Sequence, residues 1–212
     1  MELLLWRWST SVQVTSLVMI TIFFWMLGRS IRTAALRWWV RAWVWNLVAL
    51  AITLFFWFFQ PPNWVMHAVV APVYMGAKTT FILFLIQGAW AMRRPGRPLF
   101  ATRALVGGLA AYAAAATLVP TVPWIGVIQH VVMGLILVVT AAILLIAFDV
   151  ALLWLAGGFA VRGVLSLAEA GAYVISVAGP GRVPPTLAGT ANVFLSAASS
   201  FDSIAEWLLA LG

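Results

Sequence analysis

The chain has 212 residues, 65% of them hydrophobic and 8% charged, with a formal net charge of +7 and no cysteine. So few charges cannot cover a water-facing surface, and the absence of thiols excludes disulfides, thiolate metal sites and cysteine nucleophiles. The basic balance would suggest nucleic acid in a soluble protein, but here the basic residues gather in two short connections between apolar runs, so a nucleic-acid partner is rejected.

In lipid only helices and closed barrels satisfy their own backbone. A barrel strand reads as about 10 residues of alternating hydropathy, whereas the runs here, such as 47–59 and 131–147, are continuous. The expected fold class is all-α: a polytopic membrane protein forming one domain over 1–212, with seven transmembrane helices and no soluble domain. A span needs about 20 apolar residues, and helices are predicted at 8–28, 36–59, 63–92, 99–119, 123–148, 150–178 and 187–211. The first run lacks a charged start and a small-residue cleavage pattern, so it is expected to be a span and not a removable signal.

Nine of the ten prolines fall between or just outside these segments, as expected of a residue that lacks a donor and clashes with the preceding turn. Pro72 is the exception and is expected to bend the third helix. Residues 123–178 as one helix would run about 80 Å at 1.5 Å per residue, so a break is required. Asp149, capping a new helix, and the pair Gly157 and Gly158 are the two candidates for it. Gly107, Gly108, Gly157, Gly158 and the alanine-rich run 110–116 are expected to be close-packing surfaces.

Arginine sets the orientation. Arg29, Arg32, Arg37 and Arg41 lie around the first connection, and Arg93, Arg94, Arg97 and Arg103 around the third; the opposite side holds only Arg7 and Arg182. By the positive-inside bias the N-terminus is outside and the C-terminus inside. Trp6, Trp8, Trp57, Trp64 and Trp124 fall at outer ends of the predicted spans, and the other eight tryptophans, Trp43 among them, at or near inner ends. Interfacial placement of the indole accounts for the whole set.

Ionisable groups inside a membrane are costly and are functional candidates by default. Lys78 sits near the middle of the third predicted helix, Glu169 in the sixth, and Asp202 and Glu206 in the seventh; Arg162 joins them if the sixth helix starts near Asp149. Arg162, Ser166 and Glu169 are spaced i, i+4, i+7 and share one stripe. Ser199, Asp202 and Glu206 form a second stripe, and His67, Tyr74 and Lys78 a third. Two acids at i, i+4 repel unless a cation or a shared proton intervenes, and Lys78 and Arg162 are the available cations. The group reads either as a salt-bridge cluster that fixes packing, with Lys78 reaching the acids, or as a proton- or ligand-responsive site.

His67 and His130, the two histidines, lie at similar depth below the outer ends of their helices. That depth suits two axial ligands to one haem, and it equally suits two unrelated interfacial histidines. No other cofactor is expected, and no further histidine or thiolate completes a tetrahedral metal site. No Walker loop, Gly-x-Ser-x-Gly or His-Glu-x-x-His occurs, so the chain is not expected to be an enzyme.

The first span ends in an Arg-rich turn, and the stretch Leu36-Arg37-Trp38-Trp39-Val40-Arg41-Ala42-Trp43 enters the second. With the seven-span count and the termini, this pattern resembles the seven-helix membrane input modules that precede histidine-kinase or diguanylate-cyclase domains in bacterial signalling proteins. The resemblance covers the whole chain in topology and about residues 7–45 in motif. It implies a signal-input or partner-binding module without catalytic activity, multi-pass in the bacterial inner membrane. Such modules continue into a cytoplasmic coiled coil and an output domain, whereas this sequence stops at Gly212. The expected partners are the bilayer and a cytoplasmic or membrane protein or a second copy, met through 199–211 or the arginine clusters. A small-solute or proton-coupled transporter and a haem-binding electron-transfer subunit are the alternatives.

Overall fold

The computed structural model describes residues 2–94, 96–146, 152–178 and 182–211. Among these the chain is all-helical. α1 spans Glu2–Ser30 and α2 spans Ala34–Phe59. α3 is one helical stretch, Asn63–Arg93, and α4 spans Thr102–Ala115 before a 3₁₀ turn at Ala116–Leu118. α5 spans Val122–Ile146, α6 Leu153–Val177 and α7 Pro185–Leu211. Each corresponds to one predicted segment.

Six of these helices are long and apolar enough to cross a membrane, which is compatible with a multi-pass membrane protein. α4 is shorter than the predicted 99–119. Even with its 3₁₀ turn it stops at Leu118, giving about 25 Å of helix against a hydrocarbon thickness of about 30 Å. Pro120 follows it and limits extension at that end, while Ala101 is in an extended conformation just before its start.

The ends follow local chemistry. Thr33 caps α2, its Oγ1 accepting from the Leu36 N–H at 3.4 Å. The end of α2 is closed by Gln60 at φ 42°, just before Pro61 and Pro62. In α3 the backbone widens to a π-helix over Met66–Val70, with the Ala71 N–H bonding back to Met66 O. Pro72 lies immediately beyond and has no donor for its own α-helical bond, and slipping the register is one way a helix absorbs that. The π turn also offsets His67 from Tyr74 and Lys78, whose common stripe presumes an unbroken α-helix. α5 is described as far as Ile146 and α6 from Leu153, so Gly157 and Gly158 lie inside α6 and do not form the expected break. Asp149, the proposed cap, lies outside the described residues.

The chain divides into two compact units, one comprising Met1–Ser16 and Pro120–Gly212 and the other Leu17–Val119. In the second unit α2 packs on α3 through aromatic side chains. Trp43 is fully buried, with its ring 5.8 Å from Phe24 and 5.2 Å from Phe81. Its ring is held by protein neighbours, so interfacial preference of the indole is not needed to account for Trp43. Trp39 packs against α3, where its Nε1 donates to Leu85 O at 3.2 Å. A side chain at Gly88 would collide with that indole.

In the first unit α5 and α6 cross at two glycines. A Cβ on Gly134 would stand 3.0 Å from Gly163 O, and one on Gly163 would stand 3.1 Å from Gly134 O. The backbones therefore touch, as small residues permit. α6 meets α7 at Gly158, against the backbone of Leu208 and Leu209. Gly107, Gly108 and Gly157 face open space, so of the glycines expected to pack, Gly158 alone does.

A candidate charge cluster in the first unit

The inward stripes of three helices meet here. On α5, His130, Gly134, Leu137 and Ala141 recur at i, i+4, i+7, i+11 and are all buried. On α6, Leu155, Phe159, Arg162, Ser166 and Glu169 follow the same period and are buried as well. Asp202, Ala205, Glu206 and Leu209 form the buried face of α7. An apolar stripe that carries charged residues in its middle turns aligns them across the interface.

Arg162 is the hub and is 0% exposed. Its Nη1 stands 2.8 Å from Asp202 Oδ1 and 3.5 Å from Glu169 Oε2, and donates to Ser166 Oγ at 3.0 Å. His130 Nδ1 lies 2.7 Å from the same Glu169 Oε2. Tyr173, one turn beyond Glu169 on α6, stacks on the His130 ring with centroids 5.6 Å apart. Gly126 leaves room for that phenol, since a Cβ there would stand 3.0 Å from the Tyr173 ring. Glu206 is fully buried one turn past Asp202 and adds to the negative potential at Arg162.

The start of α1 contributes too. Gln13 Nε2 donates to Asp202 Oδ2 at 3.4 Å, and Ser9 Oγ accepts from the Ser200 backbone N–H at 2.8 Å. Ser9 and Gln13 are one turn apart and both buried. Their polarity inside an apolar run was the available sequence signal, since polar side chains in such helices face the interior. The pairing of His130 with Glu169 had no such signal, because it depends on which helices neighbour each other.

Of the expected site residues, Arg162, Glu169, Asp202 and Glu206 come together in this unit, with His130 added. Lys78, Tyr74 and His67 belong to the second unit. There Lys78 is buried, donates to Asn46 Oδ1 at 2.8 Å, and lies 5.7 Å from the Phe81 ring centroid. Tyr74 and His67 are half-buried on α3. In the expected partner segment 199–211, Asp202, Ala205, Glu206 and Leu209 point inward, while Leu208 and Leu211 are exposed.

Within the first unit Arg162 supplies one positive charge and His130 a second when protonated, beside three carboxylates. An imidazole 2.7 Å from a buried carboxylate can share or exchange a proton with it. Among the described residues no group of three His, Cys, Asp or Glu has metal-holding geometry. Compared with known proteins, the chain matches no family model, no curated protein and no solved structure.

Proposed function

We propose that the chain is a multi-pass protein of the bacterial cytoplasmic membrane, N-terminus outside and C-terminus inside, acting as a proton-responsive input module without catalytic activity. The observation that carries this reading is the buried set His130, Arg162, Glu169, Asp202 and Glu206, in which one guanidinium faces three carboxylates across helix contacts. A proton added to or taken from such a set changes which helix pairs attract. Small helix shifts of that kind are how membrane inputs are passed on. A proton-coupled transporter uses the same buried carboxylates and is the second reading.

The test is a pH step on proteoliposomes carrying an environment-sensitive fluorophore at Ala210→Cys. The expected outcome is a fluorescence change that Glu169→Gln abolishes and that occurs without net proton flux. A signal insensitive to pH, in a protein that is folded and inserted, overturns proton responsiveness. Sustained proton flux coupled to a solute transfers the assignment to transport.

A further inference from the structure

The second unit, Leu17–Val119, contains no Asp or Glu, yet it holds Arg29, Arg32, Arg37, Arg41, Lys78, Arg93, Arg94, Arg97 and Arg103. Its arginines therefore have no carboxylate within their own unit. Three of them, Arg29, Arg32 and Arg37, line a cleft of about 510 Å³ together with Gly28, where α1 ends and α2 begins. All three are exposed. The cleft has internal order: the Arg29 guanidinium is held 3.9 Å over the Trp25 ring, and Thr33 fixes the turn by capping α2.

We infer that this cleft binds the phosphate of an anionic phospholipid headgroup. Arginine is suited to phosphate because its planar fork presents paired donors. The rest of α1 points to lipid as the source. Met19, Ile22, Met26 and Arg29 follow i, i+3, i+7, i+10, so they form one stripe running into the cleft. Met19, Ile22 and Met26 are 56%, 50% and 61% exposed. An acyl chain lying along that stripe brings its phosphate to Arg29. An acidic peptide or a free phosphate leaves the stripe uncovered. The inference rests on the membrane reading above.

The test uses the full chain in uncharged detergent, with bound lipids counted by native mass spectrometry. Phosphatidylglycerol is expected to bind at least ten-fold more tightly than phosphatidylcholine. Each basic residue near an anionic surface contributes an increment that corresponds to about five-fold in affinity. Arg29→Gln, Arg32→Gln and Arg37→Gln together are therefore expected to abolish the preference. Arg93→Gln, Arg94→Gln and Arg97→Gln together should retain it. Trp25 fluorescence is expected to change on phosphatidylglycerol binding, as the Arg29 guanidinium leaves the ring for the phosphate. An unchanged preference in the first triple variant overturns the site. Inorganic phosphate that displaces the lipid at equal concentration overturns the lipid as its ligand. A protein that inserts into vesicles but shows no lipid preference loses this inference and keeps the membrane reading. One that stays in solution without detergent loses both.

Discussion

Arg162 ties α6 to α7 in the first unit. It is 0% exposed and faces Asp202 at 2.8 Å and Glu169 at 3.5 Å. Removing it leaves three carboxylates in a place where ions are poorly solvated. Breaking a buried pair from one side costs about 3–5 kcal/mol, even where the intact pair contributes little net stability. Arg162→Met is therefore expected to lower stability by about that amount. The double variant Arg162→Met, Asp202→Asn should recover part of the loss, because one orphaned charge goes with its partner. Thermal unfolding of the detergent-solubilised variants measures both. A double variant no more stable than Arg162→Met means the pair is not coupled as drawn. At this scale the sequence was half legible. Spacing alone placed Arg162, Ser166 and Glu169 on one stripe, and Asp202 and Glu206 on another. It carried no information on which stripes meet, so the Asp202 partner of Gln13 and the Glu169 partner of His130 could not be read from it.

At the scale of elements, hydropathy and proline made every helix readable to within a few residues at most ends, because lipid-length apolar runs and missing donors are local properties. Which face of a helix is buried is not local when the helix is apolar all round. Trp43 and Trp45, two residues apart, read identically in the sequence, yet Trp43 is 0% exposed and Trp45 is 38% exposed. The glycines show the same limit. Adjacent pairs attract attention in a sequence, but the close crossing of α5 and α6 uses Gly134 and Gly163, which are isolated in the chain. This separates two substitutions of equal chemistry. Gly163→Val puts a side chain against Gly134 O and the Val138 backbone, with a built Cβ already 3.0 Å from Val138 N. Overpacking of this kind costs about 1–3 kcal/mol. Gly157→Val meets nothing within 4 Å and should leave stability unchanged. Equal melting temperatures for the two variants would show that α5 and α6 do not cross at these glycines.

For the molecule as a whole, the distribution of charge says more than its amount. Between Glu2 and Asp149 there is no acidic residue, while ten of the twelve basic residues lie in that stretch. Eight of those ten are arginines of the first and third connections. These two connections are on the same side of the bilayer if α2 and α3 each cross it, and by the positive-inside bias clustered arginine would keep that side in the cytoplasm. α4 is the short member of the set, so the orientation of everything after it depends on whether this helix also crosses. Six crossings would return the C-terminus to the side of the N-terminus, and seven place it opposite. Because the chain has no cysteine, single introduced thiols report each connection cleanly. Cysteines at Pro61, Thr121 and Arg182 are expected to react with an impermeant maleimide from the periplasmic side of intact cells. Those at Arg32 and Gly96 should react only after the membrane is opened. If Thr121→Cys is protected while Pro61→Cys is labelled, α4 does not cross, and the C-terminus moves to the outside. That result would invert α5, α6 and α7 relative to α1, so the contacts among His130, Arg162, Glu169 and Asp202 would stand while those of Ser9 and Gln13 to α7 would not. A proton arriving at the cluster would then come from the opposite compartment, and the input reading would have to change direction with it.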